Sequence, residues 1–291
     1  PRGLLWTSTP LWLIASIDAL FLLGSAMEVG YRVVQAKGWH NLLFVGLFVL
    51  ATAANFASYM TISGLLTFSS SAVWQAMLWW FTLLLSVMGA RVIPFFTARR
   101  FNFTDATTIK WLDWLANLPL LILFVTSFFE SLPSQLISAL MLIAGVAQCW
   151  RWLRWKPWLT LSEPLVWSLH LAYFCIPLSL ILRALVANAF ITHNMLHLFA
   201  IGSIGGVILA MIVRVTMGHT GRDIYKGPSM AFAFAAIFMA AIVRSIGVAL
   251  FPAQFFMMID LSAGLWMLAF LLFIYHFGRM LITPRVDGHP G

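Results

Sequence analysis

The sequence predicts an all-α fold: a polytopic transmembrane helix bundle with about nine helices in this chain. Three observations predict it. Hydrophobic residues make up 62% of the 291 positions and charged residues only 9%, with a mean hydropathy of +0.94. Apolar runs long enough to cross a bilayer recur along the whole chain. The connections between those runs alternate between basic and nearly uncharged. Soluble domains do not get by with so little charge, so the composition excludes a soluble enzyme and a disordered chain.

Taken in order, the spans fall at about 11–27, 40–59, 73–96, 111–129, 134–150, 165–186, 194–217, 229–250 and 254–277. Together they use up the length, so residues 1–291 are expected to be a single transmembrane helical domain. The connections near 28–40, 97–110, 151–163 and 218–228, with the tail after 277, carry Arg32, Lys37, Arg99, Arg100, Lys110, Arg151, Arg154, Lys156, Arg222, Lys226, Arg279 and Arg285. The opposite side has Arg2. By the positive-inside rule the basic connections and the C-terminus are cytoplasmic, and the start of the chain lies outside. The chain begins at Pro1 and is expected to be the C-terminal three-quarters of a longer protein whose extra helices precede it.

The net charge of +8 is therefore an orientation signal, and no nucleic-acid partner is expected. Trp150, Trp152, Trp155 and Trp158 around Arg151, Arg154 and Lys156 are an aromatic belt at the bilayer surface. Cys149 and Cys175 lie inside apolar segments and are expected to be packing residues.

The most informative stretch is His193–Arg222. His193 and His197 are four residues apart, so both rings share one helix face. Gly202, Gly206 and Ala210 form a small-residue ladder that lets a neighbouring helix come close in lipid. Gly218 is placed to end the helix, before the polar turn His219-Thr220-Gly221-Arg222.

Charge within a span costs at least about 2.5–3.5 kcal/mol on insertion scales. Asp18, Arg91, Arg183, Arg214, Arg244 and Asp260 are the residues that bear it. Snorkelling to the interface accounts for the arginines near helix ends, and Arg244 with Asp260 is a candidate ion pair. Asp18 is the deepest carboxylate. His170, His219, His276 and His40 lie toward the cytoplasmic level, and His193 and His197 toward the outer one. Neutral imidazole suits iron, copper and zinc alike, so histidines at two membrane levels are candidate metal ligands. The sequence contains no attached-haem Cys-x-x-Cys-His run, no HExxH and no phosphate-binding loop.

Several stretches together resemble the NnrS family of bacterial membrane proteins. MGARVIPFFT (88–97), PLVWSLHLAYFCIPL (164–178), HLFAIGSIGGVILAMIVRVTMGHTGR (197–222) and PRVDGHPG (284–291) carry the resemblance, with Asp18 and Asn55. Ala90 stands where the family usually has a second Gly before the arginine. The family has about twelve helices and an N-terminal His-x-His-Glu motif that this chain lacks.

The resemblance implies a haem- and copper-containing protein of the bacterial inner membrane, involved in nitric oxide metabolism or the nitrosative stress response. It names no reaction, so whether the chain is an enzyme stays open. It singles out His170, His197 and His219 as metal ligands, with His193 as a helper. His170 and His219 share the inner half; His197 would take copper at the outer side with ligands from the preceding segment. Arg91, Arg214, Arg222 and Arg244 are candidates for haem propionates, because guanidinium forks pair with carboxylates. Other readings are a transporter whose intramembrane Arg and Asp line an ion path, and a quinol-linked electron-transfer subunit with a redox partner.

Overall fold

A computed structural model describes residues 9–102, 108–129 and 132–288. Arg2 and the last residues of the tail motif lie outside the described residues. Among those described, the chain forms nine helices and no strand: α1 Leu11–Gln35, α2 Leu42–Ile62, α3 Ser70–Phe101, α4 Lys110–Thr126, α5 Ser134–Arg154, α6 Pro164–Leu185, α7 Ala189–His219, α8 Ala231–Leu250 and α9 Phe255–Leu281. Eight are long and apolar enough to cross a membrane. The exception, α4, has 17 residues, a rise of about 25 Å, slightly under the hydrocarbon thickness. The chain is an all-α polytopic bundle, as its composition predicts.

The ends of several helices follow from local chemistry. Glu163 caps α6 by accepting from the Leu165 N–H, and Pro164 fills the first turn, where a missing N–H costs nothing. Asn188 caps α7 through the Ile191 N–H at 3.1 Å. α8 and α9 are parted by Pro252, which sits in a short 3₁₀ turn, Pro252–Gln254.

At its far end α7 runs through Gly218 to His219. The stop is Gly221, in the left-handed region at φ +72°. Its N–H donates to Gly218 O at 3.2 Å, and the Arg222 N–H reaches Met217 O at 2.9 Å. That pair of bonds is a Schellman closure, and it needs the glycine one turn later than Gly218.

Two compact units emerge: residues 1–84 with 120–133, and residues 85–119 with 134–291. In the first, α1 packs along α2. Tyr59 donates its hydroxyl to the Asp18 carboxylate, which gives the deepest acid of the chain a partner. Trp80 donates to Leu47 O at 2.7 Å. Trp12, Leu20, Phe21 and Met27 of α1 are largely exposed, as suits a helix against lipid.

In the second unit α6 is the centre. Leu169, Tyr173, Ile176 and Leu180 are all but inaccessible, and α5, α7 and α8 pack around it. Close approach depends on the small-residue ladder. A Cβ on Gly202 would stand 2.5 Å from Cys175 Sγ, and one on Gly206 would stand 3.0 Å from Phe238 and 3.1 Å from Ala172. The ladder therefore seats α7 on α6 and α8, as small residues do in membranes. Cys175 is free and buried, a packing residue in this groove.

A buried arginine also ties the helices of this unit. Arg151 on α5 donates to Asp113 Oδ1 at 3.0 Å, to Ser86 Oγ at 2.7 Å and to the Tyr173 hydroxyl. Asn117 Oδ1 accepts from Ser86 Oγ at 2.7 Å. In a low-dielectric setting a guanidinium is tolerated only when its donors are met in this way.

Candidate functional site

Two features of the second unit set the site. The first is a change of helical period. α7 winds as a π-helix over Leu198–Gly205, and α8 does the same over Val243–Gly247. Such turns are rare, and they re-aim the side chains beside them. The π-stretch of α7 begins directly after His197, and that of α8 contains Arg244.

The second feature is a cavity of about 350 Å³ lined by His197, Ile201, Arg244, Ile259, Ser262, Ala263, Trp266 and Met267. Its size is at the small end of ligand pockets. One imidazole and one guanidinium stand in an otherwise mostly apolar wall. Arg244 Nη1 donates to Asn194 Oδ1 at 2.6 Å, and the guanidinium carbon lies 5.7 Å from the centre of the Phe255 ring. Asp260 is exposed, so the expected Arg244–Asp260 pairing gives way to an arginine–amide bond. Ser262 spends its hydroxyl proton on Ala240 O at 2.8 Å, which pins α9 to α8. His193 is exposed one turn before His197, with ring centroids 6.4 Å apart and planes nearly perpendicular.

His170 stands elsewhere, on α6, 2% exposed. Its Nε2 is 2.8 Å from Thr97 Oγ1, and that hydroxyl is 2.7 Å from Ile93 O. Thr97 has one proton, and Ile93 O can only accept it. The Nε2–H of His170 must then donate to Thr97, which fixes the tautomer. Among the described residues Nδ1 has no partner, and it is left with a bare lone pair. A metal-ligating histidine has this electronic form, with one nitrogen anchored by an acceptor and the other unprotonated.

The remaining predicted residues are dispersed. His219 is exposed at the end of α7, so it does not share the buried surroundings of His170. Arg222 is half-buried and donates to Thr220 O at 3.4 Å. Arg91 is half-buried on α3 and engaged. Arg214 is buried against Phe96, Leu165 and Tyr225. Among the described residues no group of three or more His, Cys, Asp or Glu is arranged to hold a metal ion.

Sequence reasoning missed Asn194, Met267 and Trp266 as neighbours of the histidine. Asn194 had a signal: an amide one residue after His193, on a buried face of an intramembrane helix. The π-turns had none in composition or period.

In the loop after α7, Asp223 accepts from the Tyr225 N–H at 3.1 Å and pairs with Lys226 at 3.2 Å. Those contacts hold its carboxyl below the ordinary range, the backbone bond first. The tail folds back on the same turn, with Val286 N–H on Thr220 O at 3.2 Å and Arg285 paired with Asp287 at 2.6 Å.

An all-α bundle of long apolar helices, with an imidazole and a guanidinium lining one open pocket beside the π-wound segments, is a multi-pass membrane protein. The chain belongs to the NnrS family, whose model matches residues 1–285. No curated protein and no solved structure matches it.

Proposed function

We propose that the chain is a haem- and copper-containing protein of the bacterial inner membrane, acting in nitric oxide metabolism or the nitrosative stress response. The observation that carries this reading is the His197–Arg244 cavity. An imidazole and a guanidinium on one apolar wall are the donor set a haem needs: an axial nitrogen, and a partner for a propionate. When bound, haem supplies an iron centre able to take nitric oxide.

The chain's own residues do the rest. His197 offers a ring nitrogen at the cavity wall. Asn194 holds Arg244 at 2.6 Å, so the guanidinium is positioned before any ligand arrives. Ile201, Ile259 and Trp266 give the pocket an apolar lining, the kind of surface on which a flat apolar ring system packs. His170 supports the reading from the second level, because its anchored ring keeps Nδ1 unprotonated and unpaired.

The described residues fit copper less completely. With His197 given to the haem in place of the copper role the resemblance implied for it, the exposed His193 is the imidazole left on that helix, and Met267 lines the cavity with a soft sulfur. The basic residues in the connections support a cytoplasmic C-terminal side, by the positive-inside rule.

The test is the visible spectrum of the purified full-length protein before and after nitric oxide. A Soret band that shifts with the gas supports the proposal. A colourless protein that passes ions in liposomes overturns it in favour of transport. A Soret band that only quinol changes points instead to electron transfer.

A further inference from the structure

A second charged site lies at the basic end of the second unit, around Arg214 of α7. Its side chain is 4% exposed. The guanidinium lies 3.9 Å above the Phe96 ring, donates from Nη2 to Leu165 O at 2.9 Å, and reaches the Tyr225 hydroxyl only weakly, at 3.4 Å from Nη1. Among the described residues its Nε is buried without a partner. The carboxylates nearby in the fold are committed. Glu163 binds Arg100 at 3.0 Å and caps α6, and Asp223 holds Tyr225 and Lys226.

Among the described residues Arg214 is thus a buried cation whose partners are a carbonyl, a phenol and ring faces. Ring faces and dipoles soften its charge but leave it uncancelled. Buried charges are ordinarily matched by an opposite charge.

Tyr225 forms the cover. Its loop follows the Schellman turn of α7, its N–H is held by Asp223, and its ring lies 4.7 Å from Arg100 and 5.7 Å from Arg214. Both arginines face it, and among the described residues Arg100 is the one with an acid partner.

We infer that Arg214, covered by Tyr225 and flanked by Arg100, is a binding site for an oxyanion of the phosphate type. The spare donors are Nε and the weakly engaged Nη1, and Arg100 adds a second positive charge at the rim. The chemistry is that of an acidic phospholipid headgroup or of a free phosphate. The position at the end of the helices places the site where headgroups lie. It is separate from the His197 cavity and does not rest on the presence of haem.

The experiment titrates phosphatidylglycerol, phosphatidylcholine and inorganic phosphate into detergent-purified full-length protein. Bound lipid is read by native mass spectrometry, and phosphate binding by the shift in thermal unfolding. Wild-type protein is expected to prefer phosphatidylglycerol. Arg214→Gln is expected to lose about tenfold in occupancy, the scale of one charge-assisted contact. Tyr225→Phe frees Nη1 and is expected to bind more tightly. Arg214→Lys keeps the charge without the fork, so it is expected to fall between wild type and Arg214→Gln.

Phosphatidylglycerol binding that phosphate does not mimic identifies a lipid site. A phosphate-induced rise in unfolding temperature that Arg214→Gln abolishes identifies a free-anion site. Equal binding by wild type, Arg214→Lys and Tyr225→Phe overturns the inference even if Arg214→Gln does not fold.

Discussion

Arg244 donates to the side-chain oxygen of Asn194 across 2.6 Å, tying the π-wound turn of α8 to the helix that carries His193 and His197. The bond aims a guanidinium into a cavity shared with an imidazole, and it needs no carboxylate. Asn194→Ala is expected to lower stability by about 1–2 kcal/mol, between the values for charged hydrogen bonds in water and for polar contacts in membranes. Asn194→Asp keeps an acceptor and is expected to hold wild-type stability or exceed it. Thermal unfolding of the two variants in one detergent checks the order.

The contact between α6 and α7 predicts a steric coupling. Gly202→Ala would put a methyl 2.5 Å from Cys175 Sγ. Overpacking of this kind costs about 1–3 kcal/mol. Cys175→Ala in the same chain removes the sulfur and is expected to recover most of the loss. A double-mutant cycle on unfolding temperature reads the coupling directly; a cycle without coupling removes Gly202–Cys175 as the seat of the helix pair.

Arg151 and Asp113 are unequal partners, with side chains 5% and 36% exposed. Arg151→Met leaves Ser86, Tyr173 and Asp113 without their shared donor and is expected to cost about 3–5 kcal/mol. Asp113→Asn keeps an acceptor at the wetter end and is expected to cost under about 1 kcal/mol. Denaturant unfolding of both variants tests the asymmetry; equal losses would show that the ion pair alone, and not the network, matters.

Much of this fold is legible in the sequence because lipid leaves few options. Apolar length forces helices, and the Gly202–Gly206 ladder forecasts a close helix contact that the Cys175 and Phe238 distances bear out. The breaks were less legible. Gly218 has the composition of a helix stop, yet the closure needs its left-handed glycine at Gly221, two residues beyond the last helical position.

The site was only partly readable. Depth in the membrane can be counted from a span, which separates His197 from His170. Counting at 1.5 Å per residue assumes one helical period, and the π-turns after His197 and around Arg244 change that period. The partner of Arg244 therefore came out as Asn194, where charge matching pointed to Asp260.

The loop that covers Arg214 carries a pH prediction. The folded carboxyl of Asp223 is held below its unfolded value, so its contribution is present above the unfolded pKa of about 4 and is lost as pH falls through the folded value. Limited proteolysis of the 220–228 loop is expected to be constant between about pH 6 and 8 and to rise below about pH 4. Asp223→Ala is expected to show the faster cleavage between about pH 6 and 8 and to converge with wild type at low pH, where the carboxyl is protonated. Cleavage that varies between pH 6 and 8 would assign the loop's order to another group.

The most direct test of the central claim is the absorption spectrum of full-length protein carrying His197→Ala, beside Arg244→Gln and wild type at equal concentration. If the cavity between α7, α8 and α9 holds the prosthetic group, His197→Ala loses or shifts the Soret band, and Arg244→Gln lowers haem content while keeping the band position. Spectra and haem content identical to wild type in both variants would contradict the account.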